Sequence, residues 1–133
     1  MNLIVFRVQD AEGRGPYRPG LSHKWTDDDH WRNQSFFVEF GWSVEKVRTL
    51  WNRNESGGCG FRDLVGLHRW FGASECAKLD ELGYSIVRMV ADRIIAESRQ
   101  QLVFARKKPL WVEYEMLPWS IAATQSIGTE SAA

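Results

Sequence analysis

Three arginines and a tyrosine, Arg7, Arg14, Arg18 and Tyr17, gather on and beside an unusually stiff stretch, Gly13-Arg14-Gly15-Pro16-Tyr17-Arg18-Pro19-Gly20. Its prolines fix φ and withdraw N–H donors, while its glycines permit backbone geometry that other residues resist. Arginine's planar fork offers paired donors to phosphate or carboxylate, and a loop leaving a strand is a common place for a ligand site. The same residues also have a purely structural use, because pairing with Asp10, Glu12 or the Asp27–Asp29 run ties the loop down. The stretch is neither a P-loop nor a dinucleotide fingerprint: it lacks the lysine, the G-x-G-x-x-G spacing and a clear following helix.

A second group is Glu97 with Gln100 and Gln101, polar residues at the mouth of an apolar run, Leu102-Val103-Phe104. A carboxylate there can orient a hydroxyl or stabilise developing positive charge; the plainer reading is a solvated turn between two strands. His68, followed by Arg69, offers acid–base chemistry, but it falls on an apolar stripe with Leu64 and Phe71 and reads as a half-buried structural histidine. His23 and His30 flank Trp25 and an acidic run without metal-ligand spacing. Arg106-Lys107-Lys108 can meet phosphates, although such runs more often form solvated turns that discourage edge pairing.

These residues need elements to hold them. Residues 2–8 read as a strand, apolar on both faces and therefore central. Residues 9–34 read as mostly loop. Phe36-Phe37-Val38-Glu39-Phe40 is expected as a short strand, and Ser43 as the cap of a helix running to about Trp51. Asn52 to Gly60 is expected as a flexible loop. Asp63 caps the next helix, with Leu64, Leu67, His68 and Phe71 at helical spacing, and Ser74 caps another that ends at Gly83. Tyr84 to Val90 reads as a strand that either continues through Ala91 to Ser98 or crosses over there. Gln101 to Ala105 is a further strand, and Leu110 to Met116 alternates like a half-buried edge strand.

The fold class that follows is α+β: one small domain over residues 1–116 with a mixed or antiparallel sheet and two or three helices, then a partly disordered tail over 117–133. Of the 133 residues 44% are hydrophobic, enough for a core, and seven are tryptophan. Some indoles must fill that core, whereas Trp25 and Trp31, in a polar stretch, are expected to line a cleft or interface or to pack over one end of the sheet. Seventeen basic against 17 acidic residues speak against bulk nucleic-acid binding. Cys59 and Cys76 form no C-x-x-C pair, so neither a metal site nor a disulfide framework is expected. The start of the chain lacks a signal peptide's charged and apolar regions, and no segment approaches the roughly 20 apolar residues of a membrane span. The expected setting is cytoplasmic, with reduced thiols.

Phe6-Arg7 at the end of the first strand, and Gln101-Leu102-Val103-Phe104 preceded by Glu97 and Gln100, resemble two short motifs of the ADP-ribosyltransferase-like superfamily. The resemblance covers residues 2–8 and 84–105, and the superfamily's middle Ser/Thr or tyrosine signature is not visible. It implies an ADP-ribosyltransferase-like fold and an enzyme that transfers ADP-ribose from NAD to a macromolecular target. NAD would be held by Arg7, Arg14 and Arg18, its nicotinamide stacked on Tyr17 or Trp25. The superfamily's glutamate steadies an oxocarbenium-like transition state. Here Gln101 stands in its place, so activity would rest on Glu97, be reduced, or be absent. The R-G-P-x-R-P-G run also resembles a group of small bacterial and phage proteins. This leaves two other readings open: a small phage-type inhibitor that binds another protein without catalysis, and a binder of a free nucleotide or nucleotide-derived signal.

Overall fold

The computed structural model describes residues 3–120. Two three-stranded antiparallel sheets carry the fold. In the first, β1 (Leu3–Gln9) pairs with β3 (Ser85–Ala91), which pairs with β6 (Glu115–Leu117). In the second, β5 (Leu102–Arg106) lies between β2 (Ser56–Gly60) and β4 (Arg93–Glu97). A single antiparallel bridge, Phe6 to Phe61, links the outer side of β1 to the second sheet, so β1 has a neighbour on each side. The α+β expectation holds at this level; nothing in the topology calls for the transferase-like arrangement.

The segment after Val90 resolves the choice left open by its sequence. Ala91 ends β3, Asp92 donates its N–H to the Ala105 carbonyl at 2.9 Å, and β4 begins at Arg93. One bent run of chain therefore serves both sheets, pairing with β1 in its first half and with β5 in its second.

Alternation along β1 divides the interior. Val5 joins Val87, Met89, Ala91, Leu102, Phe104 and Leu110 in one cluster. Val8 points the other way, into a cluster that includes Trp25, Phe61, Leu67, Trp70, Leu79 and Ile86. The second cluster is covered by α3 (Leu64–Trp70) and α4 (Ala73–Glu81). Asp63 caps α3 by accepting the Gly66 N–H at 2.7 Å. The cap position of α4 is Gly72, not Ser74; Glu75, three residues on, accepts the Gly72 N–H at 3.3 Å.

Four local expectations fail. Phe36 to Phe40 is not a strand: Phe36–Glu39 form a single helical turn, α1, in which Phe36 and Phe37 stack at 4.6 Å and Phe40 stacks on Trp42 at 4.9 Å. Next, α2 (Val44–Arg48) does start at the Ser43 cap, but it stops before Trp51. The glycines of residues 57–60 do not loosen the chain. They lie in β2, paired with β5, where a Cβ at Gly57 would run into the Phe104 carbonyl oxygen and the Trp51 indole. At the far end, only Glu115 and Met116 of the expected edge strand lie in a strand, β6, and Trp119 packs against the Trp25 cluster. Residues 121–133 of the expected tail lie outside the described residues.

Among the described residues no helix is long and apolar enough to cross a membrane.

Candidate functional site

Two adjoining hollows of about 280 and 460 Å³ lie between α3 and the turn that joins β4 to β5. Gly66, Arg69, Arg99 and Gln100 line both. The smaller hollow adds Arg62, Glu97 and Gln101, while the larger adds Asn33 and Trp70. Gly66 opens the helix side of this space, since it puts no side chain there. The opposite wall is fixed by Ser98, whose hydroxyl oxygen accepts the N–H groups of Gln100 and Gln101 at 3.1 and 3.2 Å. The Ser98 hydroxyl in turn donates to Glu39 at 2.7 Å, so α1 braces the turn that displays Arg99 and Gln100.

The charges here are uneven. Arg62 grips Glu97 with two hydrogen bonds, and that grip holds the Glu97 carboxyl below the usual carboxylate range. Arg69 and Arg99 are exposed and make no ion pair or side-chain hydrogen bond among the described residues. No carboxylate lines the larger hollow. Gln101 is buried; its amide N–H group donates to the Gln34 carbonyl at 3.0 Å and to Glu39 at 2.8 Å.

The structure thus brings Glu97, Gln100 and Gln101 to one place, with Arg69 beside them. Arg7, Arg14, Tyr17, Arg18 and Trp25 line neither hollow. Arg7 is buried between the two sheets, its terminal nitrogens donating to the Cys59 and Gly13 carbonyls at 3.2 Å each and its guanidinium 5.8 Å from the Phe104 ring centre. Burial pulls its pKa below the usual arginine range. Arg14 pairs with Asp10 at 2.9 Å and Glu12 at 3.0 Å, and Arg18 with Asp10 at 3.5 Å. Burial alone would raise the Asp10 pKa, but the Arg14 and Glu12 N–H groups and the Arg14 guanidinium outweigh it and hold the carboxyl low.

The stiff loop is held down at every turn. Of the two places expected for Trp25, a cleft or packing against the fold, it takes the second: it is fully buried and donates its indole N–H to the Pro16 carbonyl at 3.1 Å. Tyr84 donates to the Gly15 carbonyl at 3.2 Å. Gly13 takes φ 81°, and a Cβ there would stand 2.8 Å from the Leu110 Cβ. Trp31, by contrast, is exposed.

Tyr17 belongs to a polar chain that sequence reading missed. The Trp70 indole N–H donates to its hydroxyl at 2.7 Å, and that hydroxyl lies 2.8 Å from His30 Nε2. His30 Nδ1 lies 2.9 Å from Glu75 Oε2, which also accepts the Asp27 N–H at 2.9 Å. The Tyr17 hydroxyl thus faces one ring nitrogen of His30 and Glu75 faces the other. The order carboxylate, imidazole, hydroxyl has the look of a nucleophile relay. The Tyr17 side chain is 41% exposed, but its hydroxyl end is part-buried between Trp70 and His30, and that desolvation raises the phenol's pKa above its usual range, so Tyr17 keeps its proton. The chain serves to lock the arginine loop onto α3 and α4. The one available signal was Glu75 at the third position of α4, where a carboxylate reaches back over the helix start.

Arg106, expected in a solvated basic turn, is buried and holds the Pro109, Val112 and Glu113 carbonyls. Lys107 and Lys108 are exposed as expected.

No curated protein and no solved structure matches the chain. A family model does, the one described as Bacteriophage T4 Y00F protein, and it spans residues 1–117. That stretch contains both sheets, all four helices, the pinned arginine loop and both walls of the hollows, and the chain belongs to the Bacteriophage T4 Y00F protein family.

Proposed function

We propose that this phage-family protein works by binding rather than by catalysis, and that it takes an anionic ligand into the space between α3 and the β4–β5 turn. The observation that carries this reading is the pair Arg69 and Arg99. Both line both hollows and neither has a partner among the described residues, whereas the three arginines first singled out are all engaged. Unpaired guanidinium groups on one concave surface are the usual means of holding phosphate or carboxylate.

Transfer of ADP-ribose from NAD finds less support. Arg7 has both terminal nitrogens on backbone carbonyls, the Tyr17 hydroxyl is enclosed by Trp70 and His30, and Glu97 is gripped by Arg62. A second reading, a small inhibitor of another protein, is favoured by the exposure of Trp31 at 64%, Trp111 at 57% and Met116 at 64%. Tryptophan is among the residues that interfaces favour.

Thermal unfolding in the presence of pyrophosphate tests the first reading. A ligand at one hundred times its Kd stabilises by about 2.7 kcal/mol. Wild type is expected to show such a shift. Arg69→Ala and Arg99→Ala are expected to melt within about 0.5 kcal/mol of wild type without ligand and to lose the shift. No shift in wild type at millimolar pyrophosphate rejects the reading.

A further inference from the structure

Building on that anion site, we propose that its ligand is a nucleoside phosphate, with the phosphate between Arg69 and Arg99 and the base in the larger hollow against Trp70, Asn33 and Gln100. The larger hollow, about 460 Å³, exceeds what an inorganic oxyanion fills and falls in the range of small-molecule sites. Arg69 and Arg99 line both hollows and so stand where the two meet. A phosphate held there has the larger hollow open on one side for the rest of its molecule.

The remaining lining fits a base better than a second charged group. Asn33 donates its amide N–H to the Trp70 carbonyl at 3.0 Å, which leaves its amide oxygen to accept from an exocyclic amine. The Gln100 side chain makes no hydrogen bond among the described residues and so offers a donor and an acceptor together. An amide that both donates and accepts is the side-chain group that matches a base edge. Trp70 lines this hollow with little exposed surface, so the stacking surface for a base comes from the planes of the arginines. The smaller hollow is the less suited to phosphate, since Asp63 and Glu97 line it. One phosphate is therefore favoured over a chain of three.

Titration calorimetry on the full chain decides this, using inorganic phosphate, pyrophosphate, the four common nucleoside 5′-monophosphates and a short 5′-phosphorylated single-stranded oligonucleotide. At least one monophosphate is expected to bind about tenfold or more tightly than inorganic phosphate, the discrimination that one well-made base contact supplies. Gln100→Ala, at an exposed side chain, is expected to erase most of that preference, read as the ratio of monophosphate to inorganic phosphate affinity in the same variant. An oligonucleotide that binds more tightly than the free monophosphate assigns the ligand to the end of a strand; equal or weaker binding assigns it to the free nucleotide. Monophosphates that bind no better than inorganic phosphate, or less well than pyrophosphate, overturn this proposal and leave the anion site standing. If neither phosphate nor pyrophosphate binds, the anion site itself falls.

Discussion

Arg7 and Arg69 are the same residue type put to opposite uses, and burial separates them. Arg7 is 5% exposed, and its guanidinium replaces water for two interior carbonyls. Arg7→Ala would leave both carbonyls without that donor and open a space between the sheets. A loss of about 2–5 kcal/mol in urea unfolding is expected, with little direct effect on anion binding by the protein that remains folded. Tyr17→Phe removes the hydroxyl that pairs with both Trp70 and His30; about 1–3 kcal/mol should go with it. Glu55 gives a pH prediction. Two hydrogen bonds from Arg93, at 2.7 and 3.0 Å, and one from the Asn52 N–H at 2.8 Å lower its pKa from the usual 4.5 to about 2. A carboxyl whose folded pKa is depressed contributes stability that is present above its unfolded pKa and lost as pH falls through the folded one. Stability should therefore drop between about pH 4.5 and pH 2, and Glu55→Gln should flatten that part of the profile in an acid-unfolding series.

Among the elements, the Asp63-capped helix and the continuous apolar run of β5 were legible, and those fixed by distant contacts were not. Asp63 marked the start of α3 because a side-chain cap is written locally, and Asp63→Ala is expected to cost about 1 kcal/mol, measured by thermal unfolding. Leu102-Val103-Phe104 read correctly as part of a strand. By contrast, Ser56–Gly60 looked like a loop because glycine weakens an isolated strand. It is a strand because it pairs with β5, and its glycines are needed because the Phe104 carbonyl, the Trp51 indole and the Arg7 guanidinium crowd it; no local pattern carries that crowding. Gly58→Ala should show it: its Cβ would stand 2.5 Å from Arg7 Nη1, and the variant is expected to melt several degrees below wild type. The aromatic run at Phe36 misled for the converse reason, since aromatic β-propensity yielded to ring stacking within one turn.

For the molecule as a whole, α+β was readable from the alternation of periods along the chain, but the division into two sheets was not. That division depends on one bend at Asp92 and one bridge at Phe6 and Phe61. The site was half legible. Glu97, Gln100 and Gln101 were placed together by their nearness in sequence, and their partner Arg69 lies about thirty residues away on α3. The arginine loop drew attention because it is stiff, and its stiffness belongs to its structural task. The claim on which this account depends is that free anion-binding capacity sits at Arg69 and Arg99 and not at the loop. Amide chemical-shift mapping during a pyrophosphate titration measures that directly. The account predicts saturable shifts centred on Gly66, Arg69, Arg99 and Gln100, with residues 13–20 unmoved. Shifts centred on Arg14 to Gly20, or none that saturate, would contradict it.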